Sequence, residues 1–361
     1  MDNPYKNKPD YQFWRRSFAD RNAVDVDPVT GVGFKIGAGD KVATAGSCFA
    51  QHVSRTLSEM GFNYMVEERQ PASSSAQDEN YGTFSARYGN IYSVRQLKQL
   101  LQRAYGLFSP ADNYWQREDG RYVDPFRPYI QANGFDTPDA LLEDREVHLS
   151  AVRRIFETCD VLIFTLGLTE AWESADDGAV FPICPGVVGA RVDAENYRFH
   201  NFTVAEIEAD LSWCLARIRS LNPACRILLT VSPVSLVATF EDRHVLSATT
   251  YSKSVLRVVA EMVSRAFDAV DYFPSYEMIL GPHGRGAFLQ EDLREVTPEG
   301  VKYAMSKFAA NYLEDAAAGR DTPRSVAPAP QASAAAVDRQ RTAMKMIADV
   351  ICDENNIDPC S

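Results

Sequence analysis

The chain has 361 residues, 45% hydrophobic and 24% charged, with a formal net charge of −12. That is the balance of a soluble globular protein, long enough for one large α/β domain with appendages. Its acidic surface argues against nucleic acid or anionic membrane as a partner, and no apolar run of about 18 residues is present to span a membrane.

The N-terminus, Met1-Asp2-Asn3-Pro4-Tyr5-Lys6, lacks an apolar signal core, and the seven cysteines are scattered without CxxC spacing. Both features point to a reduced, cytoplasmic protein. A first apolar run, Lys41 to Ala45, reaches Gly46-Ser47 and is followed by Phe49, Val53, Leu57 and Met60 at helical spacing. Strand, tight turn and helix follow in that order. Ser47 is thereby expected at a strand's carboxyl end and a helix's amino end, where open α/β sheets place their chemistry and where backbone N–H groups favour a developing oxyanion. An ordinary βα turn with serine as the helix N-cap accounts for the same residues.

Phe62–Val66 reads as a short second strand, and polar residues through Ser73-Ser74-Ser75 to Gly82 as a loop. Helices are expected over Val94–Tyr105 and Pro138–Cys159, the latter opened by Thr137-Pro138. Between them, residues 106–136 are rich in Tyr, Trp, Pro and Gly and predict an irregular excursion. The aromatics of residues 105–135 (Tyr105, Phe108, Tyr114, Trp115, Tyr122, Phe126, Tyr129) suit a sugar platform or simple packing over the sheet edge. Asp160–Leu166 and Arg226–Pro233 are continuous apolar strands, as in a parallel sheet covered on both faces. Residues 176–201 read as a Gly- and Pro-rich connection. A helix over Thr203–Leu221 carries the capping box Thr203-x-x-Glu206. A helix at 250–268, strand Val270–Phe273 and helix Pro298–Leu313 complete a doubly wound, mostly parallel sheet with right-handed crossovers. From 316 to 337 an Ala/Pro-rich flexible linker is expected, and residues 338–361 as a short terminal helix or tail.

Parallel strands send their carboxyl ends to one rim, so Ser47, Gly167–Glu170 and Ser232 should converge there. A hydroxyl nucleophile needs a base and oxyanion donors. The Ser47 N–H, Gly89-Asn90 and Thr169 are the donor candidates. His244 is the candidate base, with His200 on the same edge; His52 points away from Ser47, and His148 lies within a helix. Asp292 and Glu295, spaced i and i+3, form either a carboxylate pair or charges favouring the next helix's positive end. Cys48 has no evident base beside it. No HxH, HExxH, CxxC, GxGxxG or GxxxxGKS pattern occurs, so no metal and no nucleotide cofactor is expected.

The pentapeptide Gly46–Ala50 (Gly-Ser-Cys-Phe-Ala) resembles the signature of the GSCFA family. So do Tyr5–Trp14, Tyr81–Tyr92, Phe164–Trp172, Val231–Phe240, Tyr251–Arg257 and Tyr272–Glu277, a cover of roughly residues 5–313. The resemblance implies an SGNH hydrolase-like, flavodoxin-like three-layer fold of esterases and carbohydrate O-acyltransferases. It implies Ser47 as nucleophile, Gly89 as an oxyanion donor, Thr169 where the third block carries asparagine, and Asp292 and Glu295 where the last block reads Asp-x-x-His. Glu295 in place of histidine leaves a carboxylate, or His244 from another loop, as base. Asn90, Glu170 and His200 are the expected substrate contacts. The expected function is a serine esterase or O-acyltransferase acting on an acylated carbohydrate or small hydroxylated molecule; the alternative is a non-catalytic carbohydrate- or partner-binding module.

Overall fold

The computed structural model describes residues 3–70, 80–188, 192–314 and 357. In chain order the elements are α1 (Trp14–Phe18), β1 (Val42–Gly46), α2 (Ala50–Glu59), α3 (Val94–Ala104), a hairpin of β2 (Trp115–Gln116) and β3 (Tyr122–Val123), and α4 (Pro138–Thr158). They continue with β4 (Val161–Leu166), β5 (Glu170–Ser174), β6 (Val180–Phe181), β7 (Tyr197–Asn201), α5 (Val204–Leu221), β8 (Arg226–Val231), α6 (Val245–Ala266), β9 (Val270–Phe273), α7 (Ser275–Leu280) and α8 (Pro298–Tyr312).

The continuous apolar runs become the parallel sheet β1-β4-β8-β9, in which Gly46 pairs with Thr165 and Thr165 with Thr230. Side chains alternate between its two faces, as the strand period of two requires. Ala43, Ala45, Phe164, Leu229 and Val231 enter one apolar cluster with residues of α3, α4, α5 and α6. Val42, Ile163, Leu228 and Phe273 enter the other, with residues of α2, α7 and α8. The result is the expected three-layer, doubly wound α/β fold. Capping locks the helices in register: Thr203 and Glu206 form the expected box on α5, and Thr137 and Thr297 cap α4 and α8.

The second strand expected at Phe62–Val66 reduces to a single parallel bridge, Val42 to Tyr64, on the outer edge of β1. It still occupies position two of a 2-1-3-4-5 order, which puts the topological switch point between β1 and β4. Beyond that bridge the edge of β1 is satisfied by the following segment. Ser85 Oγ accepts from Thr44 N at 3.0 Å, the Tyr88 hydroxyl donates to Thr44 O, and Ile91 N donates to Gly46 O at 2.8 Å. These bonds position Gly89 and Asn90 beside the end of β1.

Residues 176–201, expected as a connection, instead supply β6 and β7, which flank β5 in a small antiparallel sheet of order β6-β5-β7. Its strands are too short and too mixed in polarity for a periodic signal. The 106–136 excursion is pinned down by burial: Trp115, Val123 and Phe126 pack with Phe181 in a cluster of their own. Packing, not a sugar platform, explains most of its aromatics. The expected linker, and the expected tail apart from Ile357, lie outside the described residues. No helix among the described residues is long and apolar enough to cross a membrane.

Gly46 is the tightest point of the site strand. Its φ is +127°, and a Cβ there would lie 2.3 Å from the Thr165 carbonyl oxygen. Gly46→Ala must therefore break the β1–β4 ladder at its end, and is expected to lower stability by roughly 3–5 kcal/mol in thermal or urea denaturation.

Candidate functional site

Ser47 leaves β1 at the switch point and is 2% exposed. Its backbone N–H extends the sheet ladder, donating to Thr165 O at 3.1 Å, so it is not the oxyanion donor expected of it. Its Oγ is buried and has no hydrogen-bond partner among the described residues. The hydroxyl therefore does not cap α2, whose N-cap is Phe49 with no side-chain bond, and it has no base bonded to it in this conformation.

Around Ser47 the neighbouring strand ends close tightly. A Cβ on Gly167 would stand 3.1 Å from Ser47 Cβ and 2.8 Å from Tyr92 O, so only glycine fits. The Gly167 and Leu168 N–H groups both donate to Tyr92 O. Lys253, 2% exposed and buried on α6, donates from Nζ to Gly167 O at 2.6 Å and makes a further contact. One residue earlier, Ser252 Oγ accepts from Thr169 N at 3.0 Å. Lys253 thus brings an ammonium to the same glycine that packs against Ser47. Sequence reasoning passed over it because a lysine inside a helical pattern reads as a solvated face.

Gly89, in left-handed backbone with φ +66°, and the buried Asn90 line a crevice of about 20 Å³ beside Tyr88 and Arg127. Thr169 is fully buried, and its hydroxyl donates to Asn201 Oδ1 at 2.6 Å, so its hydrogen is already used. That bond brings a carboxamide, Asn201 on β7, to the place where the family resemblance expected asparagine. Nothing local in the sequence marks it, since it arrives through the small antiparallel sheet.

Glu170 begins β5 and accepts from the Thr239 hydroxyl at 2.6 Å and the Phe240 N–H at 3.4 Å. Burial raises its pKa against those bonds. It edges an apolar cavity of about 260 Å³ walled by Trp172, Phe199, Phe240, Leu236 and Ile183. His200 is held by two carboxylates, with Nδ1 3.3 Å from Glu173 and Nε2 2.9 Å from Glu206.

His244 is exposed and serves as the N-cap of α6, its Nδ1 accepting from Leu246 N at 3.1 Å. Asp292 Oδ1 accepts from the N–H groups of Arg294 and Glu295, closing a turn in which Leu293 has φ +57°. The Glu295 carboxylate is half exposed. None of these three is bonded to Ser47. Their loop does belong to the rim, because Arg294 Nε donates to Ser235 O at 3.1 Å, just beyond the end of β8. Local backbone chemistry claims His244 and Asp292: each sits where free N–H groups need an acceptor.

A model of the GSCFA family matches residues 41–308. The chain belongs to the GSCFA family. Stretches that carried the resemblance meet at Gly167, where the GSCFA turn, Tyr92, Phe164–Trp172 and Lys253 converge. No curated protein matches the chain. Among solved structures, it is similar to a Clostridium thermocellum family 3 carbohydrate esterase (10% identity, TM-score 0.33, 76% of this chain and 94% of that one). It is also similar to a Talaromyces cellulolyticus carbohydrate esterase of family 3 (10%, 0.34, 75% and 95%) and to a Geobacillus acetyl-xylooligosaccharide esterase (16%, 0.30, 81% and 100%). Likenesses this loose say nothing about the chemistry of the GSCFA protein.

Proposed function

We propose that this GSCFA protein is a serine esterase or O-acyltransferase, with Ser47 attacking the carbonyl of an ester on a carbohydrate or other small hydroxylated molecule. The carrying observation is the Ser47 hydroxyl: a buried polar atom with no partner among the described residues, at the switch point of a doubly wound sheet. Other buried side-chain atoms, Thr165 Oγ1 among them, are likewise unpartnered among the described residues, but Ser47 Oγ lies at the strand end where open α/β sheets bring a ligand or reacting atom to complete such a group. In the proposed reaction the substrate parts the rim loops to reach Ser47. The Lys253 ammonium and the Asn201 amide face the developing oxyanion, and the Glu295 carboxylate, on the loop that Arg294 ties to the rim, accepts the Ser47 proton and returns it to the departing alcohol. Hydrolysis and transfer differ only in whether water or another hydroxyl resolves the acyl-enzyme.

The test is covalent labelling with a fluorophosphonate, read by peptide mass spectrometry. A single adduct on the Ser47 peptide supports the proposal, and an unlabelled protein refutes it. In the same assay Lys253→Met is expected to slow labelling on the order of 100-fold, because it removes a positive charge preorganised at the rim.

A second reading, a non-catalytic saccharide-binding module, is favoured by the missing base at Ser47 Oγ. It expects no adduct, and saturable binding of an acetylated oligosaccharide that Ser47→Ala leaves unchanged.

A further inference from the structure

We propose that the apolar cavity beyond the ends of β4 and β8 is a docking site for this chain's own C-terminal end, with Ile357 as the anchoring side chain. The cavity holds about 260 Å³, and Ile357 is one of the residues that line it, together with Trp172, Phe199, Leu236 and Phe240. Ile357 is 37% exposed, an exposed apolar side chain that nonetheless lines the cavity although it lies far from the end of α8 in sequence. The match is chemically apt. The aromatic walls, in edge contact with one another at 4.7 Å (Trp172–Phe240) and 6.1 Å (Trp172–Phe199), offer only apolar surface to an aliphatic group.

The sequence around Ile357 marks it as a lone anchor. Asp353-Glu354-Asn355-Asn356 precede it and Asp358-Pro359 follow, so it is the one side chain in that stretch able to gain from an apolar wall. The connecting chain from Glu314 is long enough to reach, since about forty residues extend to ~130 Å. This inference rests on the cavity and Ile357 alone, and it stands or falls independently of Ser47 chemistry.

The full-length chain carrying benzoylphenylalanine in place of Ile357 is irradiated and its cross-links are mapped. Cross-links within one chain to peptides containing Trp172, Phe199 or Phe240 are the expected result. Cross-links elsewhere, or between two chains, overturn the proposal; the latter would show a second copy in the cavity. In parallel, full-length Ile357→Asp is titrated with anilinonaphthalene sulfonate. Freed of its competitor, the cavity should bind the dye roughly tenfold more tightly than wild type, and Leu236→Arg in the same chain should abolish the gain. Equal dye binding by wild type and Ile357→Asp overturns it.

Discussion

Ser47→Ala is expected to abolish fluorophosphonate labelling and lower ester turnover by a factor of 1,000 or more, while raising the stability of the protein by about 1 kcal/mol. The two signs come from one atom. Ser47 Oγ has been taken out of water and given no hydrogen bond by the described residues. An unpaired buried hydroxyl costs roughly 1–3 kcal/mol. Removing it leaves only a small void, because one oxygen atom is lost and Gly167 already packs against the Ser47 Cβ. A serine retained for packing or capping would show the reverse, with stability falling and labelling absent in the parent protein as well. Urea denaturation of both forms, beside the labelling assay, separates these cases. A destabilised Ser47→Ala would show that the hydroxyl has a structural partner, and would remove the main support for a nucleophile.

Asp124→Asn is expected to cost roughly 3–5 kcal/mol and to be the most damaging polar substitution outside the site. Asp124 is 1% exposed; its carboxylate accepts from Arg127 Nε at 3.0 Å and Arg145 Nε at 3.1 Å. Arg127 and Arg87 also bind Asp144, each at 2.8 Å. Burial opposes ionisation of Asp124, but the two guanidiniums outweigh it and hold its pKa well below the ordinary range. Neutralising it takes from Arg145 its carboxylate partner and leaves Arg127 to Asp144 and the more distant Glu68. The network ties the 106–136 excursion to α4 and to the Gly89–Asn90 segment, so its loss also loosens the crevice behind the rim.

The same network makes the protein acid-labile. Burial and the Arg127 charge lower the His148 pKa to about 4, so at neutral pH its Nδ1–H donates to the Glu68 carboxylate at 2.7 Å. Glu68 is held down to about 2, its burial outweighed by His148 and Arg127. Below pH 6.5 the unfolded chain takes up a proton on His148 that the folded chain refuses. Stability therefore falls from pH 6.5 to about 4, and Glu68 continues the loss from about 4.5 to 2. Urea midpoints measured across this range should decline steadily. His52, which burial also lowers to about 4, contributes over the same range, so in His148→Gln the decline between pH 6.5 and 4.5 should become shallower without vanishing, and an unchanged slope would contradict this assignment.

The helices and buried strands were legible because their signals are local. Capping pairs such as Thr203 and Glu206 act over one turn, and the runs at 161–166 and 226–231 can only be strands covered on both faces. The β5–β7 sheet was missed because strands of two to five residues with mixed faces have no period to detect.

The site divides along the same line. By itself, the order strand, glycine, serine, helix determined that Ser47 stands at the sheet's carboxyl rim, since chirality and crossover rules leave a doubly wound chain few alternatives. Only the tertiary structure decided what surrounds that hydroxyl. His244, the best base by sequence, is drawn away to cap α6, and Thr169 is spent on Asn201. Lys253 and Asn201 arrive from elements more than eighty and thirty residues away from the β4 end that they meet. Hydrogen-bond demand at helix ends and turns is settled by whichever acceptor lies nearest in space, and spacing along a chain does not encode that distance.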